Sequence, residues 1–97
     1  MGKTHYPDTI LDAIERRRII EFRYKDVKRS VRPHILGHVG AGELALSAWQ
    51  IAGTGVGWRL FHVDDIRELT PTGRSFRSPS RGYNPSDPSF SRIIARL

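Results

Sequence analysis

Arg16, Arg17, Arg18, Arg23, Lys25, Lys28, Arg29 and Arg32 fall within seventeen residues and are opposed there only by Glu21 and Asp26. The run carries as much positive excess as the whole chain, whose net charge is +6 from 16 Lys and Arg against 10 Asp and Glu. Such residues capture anions: a guanidinium forks bidentately onto a phosphate, and an ammonium acts on it as a point charge. A second basic zone, Arg74, Arg77, Arg81, Arg92 and Arg96, is opposed by Asp87 alone, and the middle of the chain is near neutral. Solvation of single charges explains isolated Lys and Arg, but clustering on this scale points to a polyanionic partner.

Other chemistries find less support. The chain has no cysteine, which excludes disulfides, thiolate nucleophiles and cysteine-ligated metals. His5, His34, His38 and His62 lack the close pairing of a helical zinc motif and read as structural or ligand-contacting side chains. Asp64 and Asp65 are adjacent, so on a strand they would face opposite sides and could not work jointly on one substrate atom. Gly53, Gly55 and Gly57 sit between strands, without the helix N-terminus that a phosphate loop needs. The expectation is a non-enzymatic protein with no cofactor and no metal.

These side chains must be positioned by one domain, since 97 residues leave no room for a second core. Thr9 and Asp12 resemble a capping box and predict a helix over residues 9–17. Ile20, Phe22 and Tyr24 alternate with Glu21, Arg23 and Lys25, the period of a half-buried strand with a cationic outer face. Val31, Pro33 and Ile35 continue the period against Arg32 and His34, and Pro33 argues against a central position. Further strands are expected over 43–51, 58–63 and 66–70, separated by glycine turns, giving an antiparallel meander curled into a small barrel. Residues 71–85, rich in Pro, Ser, Gly and Arg, read as an extended basic surface segment. Asp87-Pro88 then reads as a helix start, with Phe90, Ile93, Ile94 and Leu97 at i, i+3, i+4 and i+7. That short amphipathic helix, 88–97, must bury its stripe on the barrel, on a second copy or on a partner. No apolar run approaches the roughly 18 residues of a membrane span, and Tyr6 stands where a myristoylation signal wants Ser or Thr, so a soluble cytoplasmic protein is expected.

The ordered set Leu11-Asp12-Ala13-Ile14, Ile20-Glu21-Phe22-Arg23-Tyr24, Arg32-Pro33, Leu44-Ala45-Leu46-Ser47-Ala48-Trp49 and Arg59-Leu60-Phe61-His62-Val63-Asp64-Asp65-Ile66 resembles the WYL domain family. The resemblance spans Ile10 to about Leu69. It implies mainly β architecture, an Sm-like or SH3-like antiparallel barrel of about five strands behind an N-terminal helix, within a WYL-like unit at 1–70 extended by 71–97. It also implies a sensor module of bacterial transcription regulators, whose ligands include single-stranded or small oligonucleotides. Two departures stand out: Leu44-Ala45-Leu46 replaces the eponymous Trp-Tyr-Leu, and Asp65 replaces an arginine. No winged helix-turn-helix fits beside the domain, so duplex reading is expected to need a separate DNA-binding partner.

Tyr24, Arg32 and Arg59 match family positions that resemble ligand-site residues. With Arg23, Lys25, Arg29, His34 and His62 they compose the expected nucleic-acid-binding site, provided the strand faces meet on one side of the barrel. Tyr24 also lies in register with Ile20 and Phe22 and suits the core equally, and Trp49 and Trp58 suit barrel packing. The second functional reading is an interaction or oligomerisation domain that has lost its ligand.

Overall fold

The computed structural model describes residues 6–97. His5, and the myristoylation position Met1-Gly2, lie outside the described residues. The chain runs α1 (Tyr6–Arg16), β1 (Arg18–Tyr24), β2 (Val27–Val39), β3 (Glu43–Ala52), β4 (Gly57–His62), a 3-10 turn (Val63–Asp65), β5 (Arg67–Ser75) and β6 (Phe90–Arg96). The strands form one antiparallel sheet in the order β4-β3-β2-β1-β5, with β6 paired to β2. The expected mainly β fold with an N-terminal helix is present. The expected closed barrel is not: among the described residues β4 and β5 remain the two ends of an open sheet.

Alternation accounts for β1, whose Ile20, Phe22 and Tyr24 are buried while Arg23 is exposed. Helix α1 buries Ile10, Ala13 and Ile14 and closes on Arg17, which adopts the left-handed conformation (φ 54°) common after a helix end. It begins three residues before Thr9, which therefore stands inside the helix and not at its cap.

β2 corrects the expectation drawn from Pro33. It is the most heavily paired strand, joined along one edge to β3 and along the other first to β1 and then to β6. Pro33 is tolerated because the β1 ladder ends at Val31 and the β6 ladder begins at Ile35, so its missing N–H costs no bond on that edge. The β3 ladder passes from Pro33↔Ala48 to Ile35↔Ser47, which makes His34 a bulge residue.

The predicted C-terminal helix is a strand, β6. Its pairing to β2 skips Ser91 and Ile94, and a bulge at Ser91 lets Phe90 and Ile93 lie on one side although they are three residues apart. That spacing imitates helical periodicity. Asp87 does not cap a helix either; its Oδ1 accepts the Ser89 N–H at 2.9 Å in an Asx turn. Phe90 is buried and Ile93 and Leu97 are half-buried, but Ile94 is 46% exposed.

The sheet is covered on both sides. Ile20, Phe22, Tyr24, Val31, Leu36, Leu46, Ala48, Phe61 and α1 make one core; Ile35, Val39, Ala45 and Phe90 make a second, smaller one with Tyr83 and Ile93 against it. Between β5 and β6, residues 76–89 form a strap across this second face. Most of them lie on the surface, and the segment is pinned to the sheet where Phe76 and Ser80 are buried and Tyr83 is half-buried. No described helix is long and apolar enough to cross a membrane.

Candidate functional site

The expected site does not assemble as one surface. Tyr24 is 6% exposed and part of the core; its hydroxyl accepts the His62 backbone N–H at 3.0 Å, joining β1 to β4. Arg29 pairs opposite Phe22 and points inward. Its guanidinium donates to Gln50 Oε1 (3.1 Å), Thr54 Oγ1 (3.1 Å) and the Tyr24 carbonyl (3.0 Å), and lies 5.6 Å from the Tyr24 ring and 5.9 Å from that of Phe61. A buried cation without a carboxylate is tolerable because neutral acceptors and π-faces surround it. Arg29 is thereby committed to clamping the β3–β4 turn.

His34 is fully buried. Its Nδ1–H donates to the Arg32 carbonyl at 2.7 Å and its Nε2 accepts the Ser80 N–H at 2.9 Å, so the partners fix a neutral tautomer. Burial, chiefly, and the Arg32 charge push its pKa below the ordinary histidine value, outweighing the opposing bond to the Arg32 carbonyl. His34 is a structural link and does not face solvent as the cationic-face expectation required.

Arg23 and Lys25 are exposed, but their surroundings cancel them. The hollow beside the β1–β2 turn is lined by Arg23, Lys25 and Arg67 and equally by Asp26, Asp65 and Glu68. Arg23 Nε lies 3.6 Å from Glu68, and Lys28 Nζ 3.7 Å from Glu21. Asp65, the residue that departs from the family pattern, is one of the acids that neutralise this hollow; it sits with Asp64 on the 3-10 turn, not on a strand. Arg32 lies elsewhere, half-buried, with its guanidinium 6.0 Å from the Phe76 ring.

Arg59 remains. Its guanidinium bonds backbone carbonyls of Trp58 (3.0 Å), Gly55 (3.3 Å) and Thr54 (3.4 Å), and no carboxylate among the described residues pairs with it. It opens onto a cleft of about 310 Å³ between β4 and the strap, with Ile35, Ser47 and Leu60 from the sheet and Tyr83, Asn84 and Asp87 opposite. Trp58 forms the aromatic wall: its ring centroid is 5.5 Å from that of Trp49, 4.8 Å from His34 and 6.3 Å from Tyr83, and its Nε1–H donates to the Arg81 carbonyl at 2.9 Å. The cleft thus offers a guanidinium, indole and phenol surfaces, an amide and a carboxylate. His62, half-buried on the same strand, pairs with Ala45 and is not among the lining residues.

The lining residues of the strap were missed in the sequence because the segment has no period. The one signal was Tyr83, an aromatic placed among turn formers in Gly82-Tyr83-Asn84-Pro85. No group of three or more potential metal ligands occurs among the described residues.

The fold, with its helix followed by an antiparallel meander, agrees with the one comparison that finds a relation: the WYL domain family model matches residues 5–71, well over half of the chain. This chain belongs to the WYL domain family. Neither the curated proteins nor the solved structures contain a match to it. WYL domains are in general regulatory, non-catalytic domains associated with ligand-sensing proteins. The strap and β6 lie beyond the matched region. Ala45 packs fully buried in the cluster that contains Phe90, so its small side chain leaves room for the C-terminal strand.

Proposed function

We propose that this WYL domain is a non-enzymatic sensor module whose effector, a phosphate-bearing ligand such as a nucleotide or the end of a short single-stranded oligonucleotide, binds in the cleft between β4 and the strap. The observation that carries this reading is Arg59, a guanidinium without an acidic partner opening onto a cleft walled by Trp58 and Tyr83. A phosphate takes the guanidinium fork and a base packs on the indole face, a combination that tolerates many sequences. The cleft's size is at the lower end for small-ligand pockets, which suits one nucleotide unit better than a long strand.

Titrating labelled single-stranded oligonucleotides and nucleoside monophosphates at two salt concentrations tests the reading. One or two phosphate contacts give a slope of log K against log[salt] of about −0.7 to −1.4, against about −3.5 for a five-residue cationic surface. Binding through the cleft weakens in Arg59→Ala and is unchanged in Arg92→Ala. Absence of binding to any phosphate-bearing probe sinks the proposal and favours the second reading, an interaction domain, for which the 46% exposed Ile94 on the β6 strand is the specific support.

A further inference from the structure

The strap that walls the cleft is held to the sheet by few polar ties, and one of them depends on a titratable group. Ser80 donates its N–H to His34 Nε2, while the Ser80 hydroxyl is buried with no partner among the described residues. The other ties are Trp58 Nε1–H to the Arg81 carbonyl, the Tyr83 hydroxyl to the Leu97 carbonyl at 3.2 Å, Phe76 N–H to the Arg17 carbonyl at 2.9 Å and the Arg17 guanidinium to the Arg77 carbonyl, none of which titrates near neutrality. His34 is also the centre of the ring packing that seats the strap, with Phe76 at 5.5 Å, Tyr83 at 5.2 Å and Trp58 at 4.8 Å.

We infer that His34 is a proton-released latch: protonation at Nε2 abolishes its only acceptor position, sets two N–H groups against each other at Ser80, and lifts the strap, Phe76 to Ser89, away from β4, dismantling the cleft. The regulatory consequence rests on the cleft being the effector site; the latch itself does not. An imidazolium has no lone pair left on either nitrogen, and Nδ1 is already committed to the Arg32 carbonyl, so a charged His34 cannot keep the Ser80 bond. Apart from the unpartnered Ser80 hydroxyl, an acceptor that the strap would have to shift to bring onto Nε2–H, the groups facing it offer no compensation. On its own strand the neighbouring charge is Arg32, which opposes a second cation; from β4 comes the uncharged Trp58; from the strap come Phe76, Ser80 and Tyr83. Burial raises the Tyr83 phenol pKa, against a smaller opposite effect of Arg96 on β6, so Tyr83 is neutral and gives no counter-ion. No carboxylate figures among the groups acting on His34.

The closed strap holds the His34 pKa below its ordinary value chiefly by burial, and opening the strap removes part of that burial and raises the pKa, so acid favours opening. Between those two values one proton is taken up per opening event, and the opening equilibrium rises by up to about tenfold per pH unit.

The test is amide hydrogen exchange of the full chain without ligand, corrected for the intrinsic pH dependence, between pH 7.5 and pH 5. Protection of the Ser80 amide and of the Trp58 indole N–H is expected to fall by up to about tenfold per unit while the β2–β3 ladder stays protected. In His34→Gln, which does not titrate, that pH dependence is expected to vanish. Should the variant not fold, imidazole NMR of the wild type decides: strap opening must share its midpoint with His34 titration. Protection of Ser80 that is unchanged while His34 protonates overturns the latch. Loss of affinity for a nucleoside monophosphate in step with strap opening supports its regulatory role; a latch that opens while that affinity stays constant refutes the cleft as effector site and leaves the latch standing.

Discussion

At the scale of residues, three of the arginines near the β1–β2 hairpin and β4 have three different fates. Arg23 shares a hollow in which cations and carboxylates balance, Arg29 is buried against Tyr24 and Phe61, and Arg59 alone opens onto a cleft without an acidic partner. Period-two patterning placed Arg23 outward correctly, and it allowed Tyr24 the core position it takes. It did not reach Arg29, because the pattern resumes only at Val31; β2 in fact starts at Val27, and the pairing Phe22↔Arg29 sets Arg29 on the buried side. Arg29→Ala strands the Gln50, Thr54 and Tyr24 acceptors and should lower stability by at least about 2 kcal/mol in urea unfolding. Arg23→Ala, at an exposed pair, should change it by less than about 1 kcal/mol. Equal effects would contradict the structural role given to Arg29. His34 adds a pH dependence of stability with a definite sign. Its folded-state pKa is lowered, so below about 6.5 the unfolded chain binds a proton that the folded chain resists. Stability should therefore be at its full value above that pH and decline as the pH falls from it, a decline that His34→Gln removes from the melting curve.

At the scale of elements, β1 was legible because Ile20, Phe22 and Tyr24 alternate with polar residues, and β3 because glycine turns bound it, although Ala45 to Ala48 are buried without alternation. β6 was not. Its bulge at Ser91 produces the i, i+3 spacing of an amphipathic helix, and hydropathy alone cannot separate the two; the β-branched pair Ile93-Ile94 was the available signal. The strap was illegible for a different reason, since its position depends on single contacts at Phe76, Ser80 and Tyr83 and on no period. The pairing of β2 with β6 requires Gly37: a Cβ there would collide with the Arg92 carbonyl and approach the Phe90 ring at 2.9 Å. Gly37→Ala should consequently loosen β6, seen as faster amide exchange at 90–96 with the β1–β2 ladder retained. Phe90→Ala, which empties the second core, should cost about 3 to 5 kcal/mol, and a loss under about 1 kcal/mol would show that β6 is not an integral strand.

At the scale of the whole molecule, the charge of +6 is unevenly compensated: acids offset the exposed bases around Arg23, Lys25 and Lys28, whereas Arg17 and Arg18 meet the start of the strap, where the Arg17 guanidinium donates to the Arg77 carbonyl. The C-terminal residues then convert the opposite face of the sheet from an open surface into a walled cleft with one guanidinium on its rim. Net charge foretold attraction to polyanions in general but could not say where, since pairing of charges is decided by β-strand register. The measurement that bears most directly on the cleft as effector site is residue-resolved NMR of the full chain during titration with a nucleoside monophosphate and a short single-stranded oligonucleotide. The account predicts shifts at the Trp58 indole N–H, at Arg59 and across Gly82 to Ser89, lost in Arg59→Ala. Shifts confined to Arg23, Lys25 and Arg67, or no shifts at all, would contradict it.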